Sequence, residues 1–91
     1  MYPKSILTDD RFYGNINRPN LKKLLQLTIV NIGVIPFFIN GVEYPQGGVY
    51  NVDQCGATFE FSFKKIKFNT NDISSFGNKI NLALSYNTLV T

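Results

Sequence analysis

The stretch that decides the fold is PFFINGVEYPQGG, residues 36–48. Asn40 and Gly41 separate two short apolar runs, and this pair suits the two positive φ angles of a type I′ turn, whose twist matches that of the strands on either side. Pro45 has no N–H to donate to a neighbouring strand, so we expect it to end the second run. The stretch therefore predicts a tight β-hairpin with strands at Phe37–Ile39 and Val42–Tyr44.

Strands are also predicted on both sides of the hairpin. Gly47 and Gly48 permit a second reversal, into a short strand over residues 49–52. Before the hairpin, the first half of LKKLLQLTIVN would suit a helix, but its second half alternates between apolar and polar residues and contains Thr-Ile-Val, which favours a strand. We therefore expect a strand from about Leu24 onward. One of its faces is predicted to consist of Leu25, Leu27 and Ile29.

The longest predicted strand is TFEFSFKKIKF, residues 58–68. Its first half places one set of aromatic rings on a single face: Phe59, Phe61 and Phe63. After two lysines the apolar positions shift by one residue, to Ile66 and Phe68. A β-bulge inserts one residue and produces such a shift, so we expect a bulge near Lys64 and Lys65.

The C-terminal part predicts one more strand, which follows a loop at residues 70–78. Apolar and polar residues alternate over residues 79–86, and this pattern is typical of a half-buried strand. Its apolar face is predicted to consist of Ile80, Leu82, Leu84 and Tyr86. Leu89 and Val90 extend this strand after a break at Asn87. About six short strands separated by turn signals predict an all-β fold, a small antiparallel β-sandwich or barrel, over residues 21–91.

Residues 1–20 carry no sustained periodicity. The segment is too apolar for a solvated tail, and too interrupted by proline and glycine for a strand or helix of its own. Two interpretations remain open: the segment wraps its own domain, or it is an extended arm that docks onto a neighbouring subunit. In the second case aromatic side chains would anchor the arm, and arginines would bind carboxylates across the interface. The candidate interface residues are Tyr2, Arg11, Phe12, Tyr13 and Arg18.

The composition offers little for catalysis. The chain has 91 residues, enough for one domain, with no histidine and a single cysteine, Cys55. It therefore lacks the imidazole of a catalytic triad and the commonest metal ligand, and one cysteine builds neither an internal disulfide nor a thiolate zinc site. The six carboxylates are spread along the chain, mostly at positions expected in turns or on solvent-facing sides of strands. We expect no enzyme activity, no cofactor and no metal.

Membranes and nucleic acids are the next partners to consider. No stretch approaches the ~20 consecutive apolar residues that cross a bilayer, so we expect no membrane partner. The net charge of +3 is compatible with nucleic acid, with an acidic protein surface or with neither. Charge alone therefore selects no partner.

The basic and aromatic strand at residues 58–68 is the feature closest to a single-strand nucleic-acid site. If its aromatic face were open to solvent, the rings would form a stacking platform for bases. In a domain of this size, three phenylalanines at strand spacing favour a hydrophobic core instead, since each stabilises the fold by ~1.5–3 kcal/mol when buried. Nucleic-acid binding is thus the alternative function, carried by Phe59, Phe61, Phe63, Lys64, Lys65 and Lys67. A third hypothesis, carbohydrate binding, would use Tyr44, Tyr50 and Tyr86.

Four motifs follow one another along the chain from Leu27: a strand ending in NIG, the PFFINGVEYPQGG hairpin, the aromatic FEFSF strand, and a final polar and apolar strand ending in YNTLVT. This series resembles small virion-associated structural proteins of tailed bacteriophages. The resemblance implies a head auxiliary or decoration protein, or part of a tail or fibre, without catalytic residues. It also implies a place in the virion after synthesis in the host cytoplasm. The implied partners are other virion proteins and further copies of the chain, in a homo-oligomer.

Overall fold

The chain folds into two antiparallel β-sheets that share one hydrophobic core. The computed structural model describes residues 4–13, 18–53, 57–68 and 80–90. Eight strands lie in these ranges, rather than about six, and none of the described residues is α-helical. The predicted fold class, all-β with antiparallel strands, is confirmed. The predicted loop at residues 70–78 lies outside the described residues.

The two sheets differ in size. The large sheet consists of β1 (Lys4–Phe12), β2 (Leu21–Asn31), β5 (Val49–Asp53), β6 (Phe59–Phe61) and β8 (Leu82–Val90). The small sheet consists of β3 (Phe37–Ile39), β4 (Val42–Tyr44) and β7 (Lys67–Phe68), with β3 in the middle. In the large sheet β8 lies between β1 and β2, while β5 and β6 pair with the other side of β2. Among the described strands, β1 therefore lies at the edge of the large sheet.

The predicted hairpin is confirmed as β3 and β4. Asn40 and Gly41 form its turn with φ angles of 53° and 80°, the positive values that a type I′ turn requires. The strand that was expected after Gly47 and Gly48 is also present, as β5. Both reversals depend on glycine or asparagine at positions with positive φ, which explains why the sequence alone predicted them.

The predicted single strand over residues 58–68 is wrong. The chain leaves the large sheet after β6, turns through a short 3-10 segment at Phe63–Lys65 and enters the small sheet as β7. Ser62 caps the turn, because its Oγ accepts a hydrogen bond from the N–H of Lys64. The shift of the apolar positions was real, but a corner between two sheets causes it, and no bulge within one strand is needed.

Strand β2 contains a bulge that its sequence did not reveal. Its buried residues are Leu24, Leu27, Ile29 and Asn31, so the spacing changes from three residues to two. The pairing with β8 shifts between Leu24 and Gln26. The pairing with β6 shifts between Leu21 and Leu24, where Lys23 adopts a positive φ of 56°. The predicted face was therefore wrong at Leu25, which is only half-buried.

The two ends of the described chain form a long strand pair. Strand β1 pairs with β8 from Lys4 opposite Val90 to Phe12 opposite Leu82. The prediction that the N-terminal segment is too interrupted to form a strand is wrong, and so is the predicted break at Asn87. The N-terminal segment and the part of β8 after Asn87 are weak strands by sequence pattern alone, and hydrogen bonds between β1 and β8 stabilise both.

The core joins both sheets in one cluster of buried side chains. Its members come from five strands and from the corner with the residue that follows it: Phe12, Leu24, Leu27, Ile29, Phe37, Ile39, Phe61, Phe63, Ile66, Leu82 and Leu84. Buried Asn31 ties the hairpin to β2, since its Nδ2 donates to the carbonyl oxygens of Ile35 and Tyr44 at 2.9 and 3.0 Å. Its Oδ1 accepts from the N–H of Gly33 at 3.0 Å. A buried amide with its polar atoms paired in this way is stable in an apolar surrounding.

Candidate protein interface

The C-terminal end of β1 carries a cluster of charged and aromatic side chains. The guanidinium of Arg18 forms an ion pair with Asp10 and donates through Nη1 to the carbonyl oxygen of Arg11 at 3.0 Å. It also lies over the ring of Phe63, 4.5 Å from the ring centre. The Phe63 ring in turn stacks on Phe12, with 5.3 Å between ring centres. Arg18 therefore fastens β1 to the corner between the sheets.

The electrostatics of this cluster are set by Asp10. Its carboxylate accepts the backbone N–H of Arg11 at 2.7 Å and pairs with Arg18. The hydrogen bond from the N–H of Arg11, followed by that from Arg18, lowers the pKa of Asp10 below its ordinary value of 3.8, since both stabilise the charged form. The pair is partly exposed, so solvent screens much of its attraction.

The structure separates the predicted interface residues into two groups. Phe12 is completely buried in the core of its own chain, so its prediction as an exposed anchor is wrong. Arg18 is engaged within the chain through Asp10 and Phe63. Arg11 and Tyr13 are exposed, Tyr13 by 58%, and remain candidates. Tyr2 lies outside the described residues.

The aromatic platform of the nucleic-acid hypothesis does not exist as an open surface. Phe61 and Phe63 are buried and meet edge to face, with 5.7 Å between their ring centres. Phe59 is partly buried against the core. The basic residues of this hypothesis are exposed: Lys64, Lys65 and Lys67. Because the rings face inward and the lysines outward, stacking of bases beside these charges is excluded at Phe61 and Phe63.

The three tyrosines of the carbohydrate hypothesis also pack against the core. Tyr44 stacks on Phe37 with 4.8 Å between ring centres, and its edge meets Tyr50 at 5.8 Å. Burial, together with the neighbouring Tyr44, raises the pKa of Tyr50 above its ordinary value. Tyr86 lies on another part of the sheet, opposite Leu27 and Thr8. The tyrosines therefore act first as core residues and form no common flat platform.

The outer side of the large sheet is a surface that spans four neighbouring strands, β1, β8, β2 and β5. Paired residues of neighbouring antiparallel strands point to the same side, and alternate residues along a strand point to opposite sides. Phe12, Leu84 and Ile29 point into the core. The residues that alternate with these core positions along β1, β8 and β2, together with their partners on β5, therefore form the outer side. We call these residues the outer face. They lie in three rows across the sheet: Arg11, Ala83, Val30 and Val49; Asp9, Ser85, Thr28 and Asn51; Leu7, Asn87, Gln26 and Asp53.

The central strands of the outer face carry no charge. The charged residues, Asp9, Arg11 and Asp53, stand on the two outer strands β1 and β5. The middle of the face is connected by hydrogen bonds: the hydroxyl of Thr28 donates to Oδ1 of Asn51 at 2.9 Å, and the amide of Gln26 donates to the same hydroxyl. The polar side chains are thus held in place by one another, which gives the face a preformed hydrogen-bonding pattern.

One end of the outer face is apolar. Val30 and Ala83 lie side by side in its first row, and Val49 beside them is exposed. Beyond this row the backbone N–H of Ile32 donates to the carbonyl oxygen of Asn81 at 3.0 Å, and the side chain of Ile32 is exposed. The apolar end therefore offers surface that a partner could bury, next to the polar middle.

Sequence reasoning treated these residues only as the polar side of amphipathic strands. The signal was nevertheless present, because the positions that alternate with the core residues of β2 and β8 are filled by Val, Thr, Gln, Ala, Ser and Asn. Solvent-facing positions of a small domain usually include several charges. The lack of charge at these positions was visible in the sequence, but the neighbourhood of the two strands was not.

Within the part of the chain that the structure describes, no three side chains of the metal-binding types come together. The described residues also include no helix long and apolar enough to cross a bilayer. Comparison of the chain with family models, with curated proteins and with solved structures found no match.

Proposed function

We propose that the protein is a structural component of a bacteriophage particle, acting through protein–protein contacts of its outer face. The observation that carries this proposal is the uncharged centre of that face, formed by β2 and β8. Interface centres are depleted in charged residues, and charges gather at the rim. The outer face has this distribution, with Asp9, Arg11 and Asp53 along its two sides.

The two components of the face have different roles in this proposal. Burial of the apolar end at Val30, Val49 and Ile32 supplies hydrophobic stabilisation, which scales with the apolar area removed from water. The fixed amides and hydroxyls of Gln26, Thr28 and Asn51 supply hydrogen bonds that select the partner, since a mismatched partner leaves them unpaired. Arg11 lies at the rim, where it can bind a carboxylate of the partner.

The assignment to a virion rests on the resemblance of the hairpin and the aromatic and C-terminal strands to small phage structural proteins. In this role the chain is made in the host cytoplasm and becomes part of a head, tail or fibre. Its partners are other virion proteins and further copies of itself. No catalytic residue, cofactor or metal is required.

The first test asks whether the chain is present in particles. Mass spectrometry of purified particles from its source should detect the chain after washing in high salt. Particles without the chain would overturn the proposed location.

The second test asks whether the outer face is the surface in use. Ser85→Lys places a charge in the uncharged centre, and Glu43→Gln on the exposed side of the small sheet raises the net charge by the same amount. We expect Ser85→Lys to lower incorporation into particles at least about tenfold, because a desolvated unpaired charge costs several kcal/mol, and Glu43→Gln to leave it unchanged. Equal incorporation of both variants would show that another surface makes the contact.

A further inference from the structure

We infer that β1 is a dimerisation edge, at which two copies of the chain pair antiparallel about Leu7 and join their large sheets into one continuous sheet. The pairing uses the backbone edge of β1, which borders the outer face at Leu7 and Asp9, and it requires neither particles nor virion partners. The inference begins with the direction of the backbone groups of β1. In a strand, the N–H and C=O of one residue point to the same side, and those of the next residue point to the opposite side.

The backbone groups of Arg11 point away from β8. Its N–H donates to the side chain of Asp10 and its C=O accepts from the guanidinium of Arg18, so both groups lie on the free side of β1. By alternation the groups of Asp9, Leu7 and Ser5 point to the same free side, whereas those of Thr8 and Ile6 point to β8.

The other side of the large sheet leads to the same assignment. The N–H and C=O of Asn31 bind Gly48 and Gly47, so they point towards β5. By alternation the groups of Val30 point towards β8, and those of its partner Ala83 point towards β2. The groups of Leu82 and Leu84 consequently point towards β1, where they meet Phe12 and Asp10. Arg11 and every second residue before it therefore direct their backbone groups away from β8, to the side where no other described strand lies.

Among the described residues, the part of this edge that has no partner is short and has two apolar side chains in its middle. Asp10 and Arg18 occupy the backbone groups of Arg11, which leaves the segment from Ser5 to Asp9. Its side chains of Ile6 and Leu7 are 57% and 63% exposed. Exposed edge strands usually carry charged side chains, proline or a bulge that hinders pairing with another chain. Of these, the segment from Ser5 to Asp9 carries only the charge of Asp9, at its end, and its pairing with β8 has no bulge. An edge with free N–H and C=O groups and two exposed apolar side chains is suited to pairing with a further strand.

The segment is complementary to itself. The middle residue of Ser5–Asp9 is Leu7, so antiparallel pairing about Leu7 places Leu7 opposite the Leu7 of a second copy. Ser5 then lies opposite Asp9, and Ile6 opposite Thr8. Each outward residue meets an outward residue, so the outer faces of both copies remain on the same side of the joined sheet. The alternative that centres on Asp9 would place two like charges opposite each other, which is unfavourable.

A crosslinking experiment tests this register. In a Cys55→Ser background, which removes the single native cysteine, Leu7→Cys places two thiols opposite each other, with the α-carbons about 5.5 Å apart. Asp9→Cys is the matched control, because its two thiols lie four residues apart along the strands, about 14 Å. A short bis-maleimide should crosslink most of the Leu7→Cys protein as a dimer and little of the Asp9→Cys protein. Crosslinking of Asp9→Cys alone, or equal crosslinking of both, would overturn the register.

Proline substitutions test the edge itself. Leu7→Pro removes an N–H that points to the second copy and none that bonds to β8. We therefore expect a folded monomer with a melting temperature close to that of the wild-type monomer. Thr8→Pro removes an N–H bonded to β8. We therefore expect a melting temperature clearly below that of the wild type, whether the protein is a monomer or a dimer. Sedimentation velocity at tens of micromolar should show a wild-type dimer and a Leu7→Pro monomer. A wild-type monomer at this concentration, or a Leu7→Pro dimer, contradicts the inference, whether or not the chain is found in particles.

Discussion

The hairpin of β3 and β4 and the edge strand β1 are held in the fold by different kinds of interaction. The hairpin has a local turn at Asn40 and Gly41, and Phe37 anchors it in the core. Strand β1 has no local turn, and its register comes from β8, which is about eighty residues away in sequence. Its anchors are Phe12 in the core and the ion pair of Asp10 with Arg18. A local turn forms without the rest of the chain, whereas β1 requires the folded sheet.

Of the changes that test how β1 and the hairpin contribute to stability, deletion of residues 1–18 should have the largest effect. If β1 is part of the core, the deletion removes Phe12 and leaves Leu82 and Leu84 uncovered at a new sheet edge. We expect the shortened chain to lose cooperative thermal unfolding, since the loss of one buried phenylalanine alone costs ~3–5 kcal/mol out of a total of ~5–15 kcal/mol. Circular dichroism during heating measures this. A shortened chain that melts like the full one would show that the segment is a detachable arm.

The next largest effect compares one phenylalanine from each region. Phe12→Ala and Phe37→Ala each remove a completely buried ring, so each should lower the free energy of unfolding by ~3–5 kcal/mol. Denaturation in urea gives both values. Similar losses would mean that β1 and the hairpin contribute equally to the core. A loss below about 1 kcal/mol for Phe12→Ala would mean that β1 detaches before the domain unfolds.

A smaller effect is expected in the turn of the hairpin. Gly41 has a φ of 80°, and a β-carbon at this position would meet no atom within 4 Å. The cost of Gly41→Ala therefore arises from the backbone alone and should be about 1–2 kcal/mol. Gln46→Ala, at an exposed position of the next turn, is the control and should change stability little. Equal stability of both variants would show that the local turn matters less for the hairpin than its anchor in the core.

The smallest effect is the acid sensitivity of β1. Because the folded state lowers the pKa of Asp10, its stabilisation is present above the ordinary pKa and is lost as the pH falls through the lowered value. Asp10→Asn should thus destabilise the domain near pH 7 by less than about 1 kcal/mol, and the difference from the wild type should shrink on acidification below about pH 4. Melting temperatures between pH 2 and pH 7 measure this, with Asp9→Asn as the control. A difference that persists unchanged at pH 2 would rule out the ion pair as its source.

Prediction from sequence succeeded at positions where one or two residues restrict the backbone. Asn40, Gly41 and Gly47 have positive φ angles in the structure, and such positions can be recognised from residue type. The burial of Phe61, Leu82 and Leu84 was likewise visible in the alternation of apolar and polar residues. Prediction failed for β1, for the bulge of β2 after Leu24 and for the corner at Phe63–Lys65, because each depends on contacts between segments distant in sequence.

In the candidate interface, too, the sequence identifies single residues but not how they come together. The uncharged residues Thr28 and Val30 of β2 and Ala83 and Ser85 of β8 can be listed from the sequence, but their union into one surface requires the pairing of these strands. The predicted anchor Phe12 illustrates the opposite case. An aromatic residue in an irregular segment is equally suited to a partner's groove and to its own core, and only the pairing of β1 with β8 decides between them.

The sequence by itself determined the all-β class, the type I′ hairpin and the burial of Phe61, Leu82 and Leu84 in the core. These features follow from the φ preferences of single residues and from the two-residue period of a strand, which are local properties. Only the tertiary structure decided that residues Lys4–Phe12 form an edge strand, that the aromatic segment turns from one sheet to the other, and that the uncharged sides of β2 and β8 form one face. The physical reason is that strand pairing depends on hydrogen bonds and packing between distant segments, and most backbone groups of a strand are compatible with many partners.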